Sequence, residues 1–316
     1  MDFIVFKYEF EKNSQTKLFK KETNEHVDEE FIRKEWGKIL QALHPLPLSK
    51  KSKGAWVELK AHVQVYSEDI AVLAVHNITN VKQWEEMADK PTELESYPHC
   101  CVIIDNRKQV QQILVEKSSS FSSKPDLAMW MVHDFIAQTF DTYGFTVSIK
   151  AKFYAGDAWN FIDDQAKRGH RITYMGFRIG AVNQADSSEK EAELIKAMLT
   201  WKQITGAALA DFKIQTSSTE SGLQLQRANH DCEALFNVIA RNGYTLNIHS
   251  SNGEKFQNTK ATKACFAINP LSISAFCEGR TSSDDINLIK RLDEIRNIKG
   301  EYKDEPVSKG RKKSTT

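Results

Sequence analysis

Phosphate recognition is the chemistry this chain's residue types serve best. Its acids and bases nearly cancel, with a formal net charge of +1, yet its cations gather locally. Four clusters stand out: Lys50, Lys51 and Lys53; Lys150 and Lys152; Lys167, Arg168 and Arg171, interrupted by His170; and Lys309, Arg311, Lys312 and Lys313 near the C-terminus. Cations that line up in space hold a phosphate backbone, and their grip weakens with salt. The C-terminal cluster is the best single candidate, because a flexible basic arm reaches phosphates without a preformed groove. Any one cluster, taken alone, reads first as solvated surface. The neutral total gives no global field toward nucleic acid or membrane.

Acidic residues offer a second chemistry. Asp157, Asp163 and Asp164 are the residue type a metal-dependent nuclease uses, but such a site needs carboxylates converging on a hard cation. Asp157 is expected to cap a short helix, with Asp163 and Asp164 on its solvated face. Glu58-Leu59-Lys60 has the acidic-x-Lys form of restriction-type nucleases, with both charged side chains on one strand face. Charge on the wet face of an amphipathic strand writes the same pattern. His99 beside Cys100-Cys101, and His230 beside Asp231 and Cys232, place a base near a thiol in sequence only. Strand neighbours point to opposite faces, and successive helix residues diverge by about 100°. Neither set makes a nucleophile with its base. Gly-x-x-x-x-Gly-Lys-Ser/Thr and Gly-x-Gly-x-x-Gly are both absent, which removes the common nucleotide-hydrolase and dinucleotide classes. No metal or cofactor is expected, and no catalytic residue is assigned.

The elements that must position these groups read as an α+β protein of two domains. Residues 2–10 form a first strand. A 3.6-residue apolar stripe through Phe31, Ile32, Trp36, Ile39, Leu40 and Leu43 predicts a helix over 27–43. Lys50, Lys51 and Lys53 then fall in an exposed loop. Strands follow around Trp56 to Val65 and Ile70 to Val75, a short helix carries Trp84 and Met87, and a hairpin turns at Asp105-Asn106-Arg107. This first domain, residues 1–120, is mainly an antiparallel sheet. The polar stretch 118–125 is the expected boundary.

After it, over residues 124–300, helices and strands alternate, the sign of a sheet covered by helices on at least one face. A helix begins behind Asp126. The strand at 145–153 alternates so that Lys150 and Lys152 turn away from its apolar side. Further strands are expected at 171–179, 208–214 and 264–268, with helices at 187–204 and 230–241. Asn242-Gly243 stops the last of these helices. Asn252-Gly253 turns the next strand back on itself as a hairpin. An amphipathic helix covers 284–298, and the basic tail, 301–316, is expected to be disordered. Five cysteines without metal-ligand spacing suit reduced thiols in the cytoplasm. No stretch of about 18 apolar residues spans a bilayer, and the N-terminus reads as a strand rather than a signal peptide.

The segment from Phe145 to Lys263 resembles an uncharacterised bacterial family found near phage-defence genes, and is loosely similar to the lambda phage-exclusion sensor RexA. The residues that carry this are Arg171-Ile-Thr-Tyr-Met-Gly-Phe-Arg178, Leu209-Ala-Asp-Phe-Lys-Ile214, Ser221-Gly-Leu-Gln-Leu225, Ala240-Arg-Asn-Gly-Tyr244 and Asn252-Gly253 with Asn258-Thr-Lys260. The resemblance implies a cytoplasmic, dimeric, DNA-binding component of an anti-phage defence or exclusion system. Such a component senses phage nucleic acid and acts with a second protein, of which a membrane effector is one form. Lys150, Lys152, Lys167, Arg168 and Arg171 are the expected phosphate contacts, helped by the tail. The alternatives are a metal-dependent nuclease using Glu58, and a non-catalytic scaffold docking through its last helix.

Overall fold

The computed structural model describes residues 1–12, 27–42, 45–52, 55–83, 92–108, 110–121, 125–179, 193–205, 210–216, 222–260, 262–280 and 287–296. The fold is α+β, with every paired strand antiparallel. Its first sheet is built on β1 (Asp2–Lys12), whose residues are buried almost throughout. Such a strand must have both faces covered. Ile4, Phe6, Tyr8 and Phe10 enter one core, while Phe3 and Val5 enter another.

Helices α1 (Glu29–Gln41) and α2 (Pro125–Asp141) cover the first face, through Ile32, Trp36 and Leu40 and through Met131, Ile136 and Phe140. Asp28 caps α1 by accepting from Phe31 N–H at 2.7 Å, satisfying a donor that has no partner within the helix. The second face is covered by α6 (Pro270–Cys277) and α7 (Leu288–Arg296). Leu288, Leu292 and Ile295, the apolar stripe expected of the last helix, are spent on this packing.

Going outward from β1, the sheet runs through β8 (Gln112–Glu116), β7 (His99–Asp105), β4 (Ile70–His76), β3 (Ala55–Ser67) and β2 (Leu46–Ser52). A separate hairpin pairs β5 (Thr79–Gln83) with β6 (Thr92–Ser96). The other edge of β1 has two occupants: β14 (Cys265–Ala267) pairs with Asp2 to Ile4, and β9 (Phe145–Ala151) with Phe6 to Lys12.

Between β9 and β14 the chain builds a second unit and comes back to where it left. Lys152 N–H donates to Val5 O at 2.9 Å, Val5 N–H to Ala264 O at 3.1 Å, and Ala264 N–H to Lys152 O at 2.8 Å. Phe153 and Lys263 form an antiparallel bridge just beyond. The second unit is a four-stranded sheet in the order β11 (Ala210–Gln215), β10 (Ile172–Ile179), β12 (Thr245–Ser250), β13 (Lys255–Gln257). Helices α3 (Ala155–Lys167), α4 (Glu193–Thr205) and α5 (His230–Arg241) supply its helical layer. Its core joins Trp159 and Ile162 to Phe236 and Ile239 over Met175, Phe177, Leu246 and Ile248. Trp159 stacks on Phe236 with ring centroids 4.3 Å apart.

Several expectations are corrected. The junction at 118–125 does not separate the cores, because α2 and β9 lie beyond it and belong to the first. Hydrogen bonding to a strand more than 130 residues earlier decides that membership, and local composition carries no trace of it. The basic loop at Lys50 is instead edge strand β2, where Lys50 donates to Asn77 Oδ1; Lys53 lies outside the described residues. The N-cap of α3 is Tyr154, not Asp157. Asp157 sits in the first turn and accepts from Thr262 N–H at 2.8 Å, tying the returning chain to the helix. Trp84, Met87 and the 301–316 tail fall outside the described residues. No described helix is long and apolar enough to cross a membrane.

Candidate nucleic-acid interface

Among the described residues, the expected phosphate contacts do not share one open surface. Lys152 is 6% exposed and points into the junction between the two units. Its Nζ donates to Gln112 Oε1 at 2.9 Å. Burial, with Lys7 and Arg241 nearby, pushes its pKa down to about 7. The correction has a plain cause: the face that alternation assigns to Lys150 and Lys152 is covered. Lys150 is half-buried and opposes Lys7, itself buried with Nζ donating to Val110 O at 2.7 Å.

Lys167 and Arg171 are exposed, at the end of α3 and just before β10. Arg168 is exposed but pairs with Asp164 and with Glu254, the latter at 3.2 Å. Lys309, Arg311, Lys312 and Lys313 lie outside the described residues.

The acidic and thiol candidates separate in the same way. Glu58 lies in a shallow groove beside Trp56, Phe135 and Gln138, and among the described residues it is the only carboxylate lining that groove. Cys100 and Cys101 are buried, and burial first, then the Glu116 carboxylate, pushes the Cys100 thiol up to about 12. His99 stands in a row with His76 and His62, ring centroids 5.5 and 5.2 Å apart across β7, β4 and β3. Among the described residues, no three His, Cys, Asp or Glu groups converge to hold a metal ion. His230 opens α5, whose cap is Asn229, accepting from Asp231 and Cys232 N–H groups.

A different surface gathers the right groups. The face of the second sheet opposite its core carries Tyr174, Gly176 and Arg178 of β10, aligned by register with His249, Asn247 and Thr245 of β12. Beyond them stand Gln215, Lys213 and Asp211 on β11, and Lys255 and Gln257 on β13. Lys213, Gln215, Lys255 and Gln257 are exposed, while Tyr174, Asn247 and His249 are half-buried.

Tyr174 lies down along the sheet. Its ring passes over Gly176, where an added Cβ would sit 2.8 Å from Tyr174 Cζ and nearer still to the hydroxyl. Glycine is what lets the ring lie flat. The same ring stacks on His249, with centroids 4.5 Å apart and planes 26° from parallel. Burial, then the Lys255 cation, lowers the His249 pKa. Both causes favour the neutral imidazole, and the pair forms a π-surface flanked by amides and by Lys213 and Lys255.

Arg178 binds Asp211 through Nε at 2.6 Å and Nη2 at 3.0 Å, which neutralises the acid on this face. Arg171 precedes β10 and is exposed, its backbone N–H donating to Ser251 Oγ at 3.1 Å, so one expected contact lies at the end of the strand that carries Tyr174.

The sequence marks these strands but not the wet face they share. The signal present was the two-residue period that sets Tyr174, Gly176 and Arg178 together. The missing part was the register, which fixes His249 opposite Tyr174. No protein family, curated protein or solved structure matches the chain.

Proposed function

We propose that this chain is a cytoplasmic protein that binds single-stranded nucleic acid on the open face of its second sheet. Bases stack on Tyr174 and His249. Asn247, Gln215 and Gln257 lie within the same face for hydrogen bonding, and Lys213, Lys255 and Arg171 meet phosphates. The observation that carries this reading is the flat Tyr174–His249 pair over Gly176. Sheet faces that bind single strands use aromatic rings in this way, because every base has a π-face and cations need only follow the backbone. The DNA-sensing role in phage defence implied by the family resemblance supplies the biological setting, and the duplex-independent platform suits replication intermediates.

The test is a fluorescence-anisotropy titration with labelled oligonucleotides of about 16 nucleotides, a single-domain site size. Tyr174→Ala and His249→Ala are each expected to weaken binding by about 5- to 150-fold, the range for one lost base stack. Lys213→Gln is expected to lower the salt slope by about 0.7, one single-strand phosphate contact. No binding at low salt, or equal affinity for the Tyr174→Ala and wild-type proteins, would overturn the reading.

A further inference from the structure

The second sheet ends on β11, and among the described residues no strand pairs with its outer side. An open edge is a template for another strand. Thr216 N–H donates inward to Thr173 O at 3.0 Å. By the alternation of an antiparallel ladder, the peptide groups of Asp211, Lys213 and Gln215 therefore point outward.

The sequence of this edge, Ala210-Asp-Phe-Lys-Ile-Gln215, is complementary to itself when run antiparallel. Centred on Phe212, each Asp211 faces a Lys213 of the second copy. The two Phe212 residues meet as a non-hydrogen-bonded pair, the closer kind. Ala210 falls opposite Ile214. The faces also sort correctly. Asp211 and Lys213 lie on the open face, whereas Phe212 lies on the helical side and packs against the core. On that helical side Trp201 and Ile204 of α4 are 66% and 71% exposed, and Ile214 is 37% exposed. α4 ends at Thr205 and β11 begins at Ala210, so its exposed end lies at the strand start. A two-fold axis brings the partner's Ile214 to that point.

We propose that two copies of this chain pair through β11 in an isologous antiparallel interface. The two sheets join into one of eight strands, with Asp211, held by Arg178 of its own sheet, accepting also from Lys213 of the second copy on the open face, and with Trp201, Ile204 and Ile214 on the helical face. A two-fold interface uses each contact twice, so a weak cross-strand pair counts double.

The test is sedimentation equilibrium of the full chain without nucleic acid, which keeps it independent of the binding reading. Wild type is expected at twice the 36.0 kDa chain mass. Asp211→Lys and Lys213→Asp each set like charges against each other at both symmetry-related positions. Either variant is expected to raise the dimer dissociation constant about tenfold. The double variant Asp211→Lys/Lys213→Asp restores the pairing and the dimer. Lys213→Pro removes an outward N–H, which an edge strand tolerates, and yields monomer with an unchanged circular dichroism spectrum. A monomeric wild type, a double variant no tighter than the singles, or a folded Lys213→Pro protein that remains dimeric would each overturn the proposal. If Lys213→Pro does not fold, the charge-swap set decides alone.

Discussion

Lys152→Met is expected to stabilise the protein in a pH-dependent way. Lys152 has a folded-state pKa of about 7 against the ordinary 10.5, lowered by burial first and then by Lys7 and Arg241. Between those values the unfolded chain holds a proton at this position that the native chain has released. The unfolded state thus binds more protons, and native stability rises with pH across the window from about 7 to 10.5. The slope for one such group is about 1.4 kcal/mol per pH unit. Over the full window this amounts to about 5 kcal/mol, an upper bound because structural relaxation and water reduce it. Below pH 7 the native state carries a charged lysine in the junction, and there Met should help most, offset by about 1 kcal/mol for the hydrogen bond lost at Gln112. The measurement is urea denaturation of wild type and Lys152→Met from pH 6 to 10, followed by tryptophan fluorescence. The difference in unfolding free energy should favour the variant at pH 6 and fall steadily above pH 7. A difference that stays constant over that range would refute the lowered pKa of Lys152.

Gly176→Ala should weaken nucleic-acid binding by up to about tenfold with little change in stability, because its methyl group displaces only the movable Tyr174 ring; anisotropy and a thermal melt separate the two effects. Gly243→Ala should behave in the opposite way. Its φ is +63° and an added Cβ would meet Ala151 O at 2.8 Å, a backbone atom that cannot turn aside. We expect a loss of at least about 1–2 kcal/mol, read as a lower melting temperature. Asn258→Ala should cost about 2 kcal/mol in urea unfolding, because its side chain both donates to Tyr244 O at 2.7 Å and accepts from Leu246 N–H at 3.0 Å.

Local rules made much of the second unit legible. Asn242-Gly243 ends α5, with Gly243 at φ +63°, and Asn252-Gly253 turns β12 into β13, with Gly253 at φ +87°. Both depend on glycine's freedom in the left-handed region, so a few residues suffice to reveal them. The stripe from Ile32 to Leu40 likewise marked α1, since a helix face repeats within four residues. Lys152 was misread because alternation along one strand reports two faces but not how many of them are covered. α7 and the returning chain cover the second face, and they lie over 100 residues away. Tyr174 and His249 show the same limit: each looks like an ordinary wet-face residue until register brings them together. For these residues, the shared surface depends on which distant strands pair.

A segment of more than 100 residues that leaves at Lys152 and returns at Ala264, with those two residues joined by a 2.8 Å hydrogen bond, is a graft on its host. Its ends are already as close as those of a tight turn. Replacing the whole of it with a short turn would therefore ask the host to close only a small ring, and β9 and β14 could keep their places beside β1. The same arrangement makes the graft portable: a different unit with adjacent ends could be seated there, and this one could travel to another scaffold. On this view the large sheet is a mount, and the small one is its replaceable head.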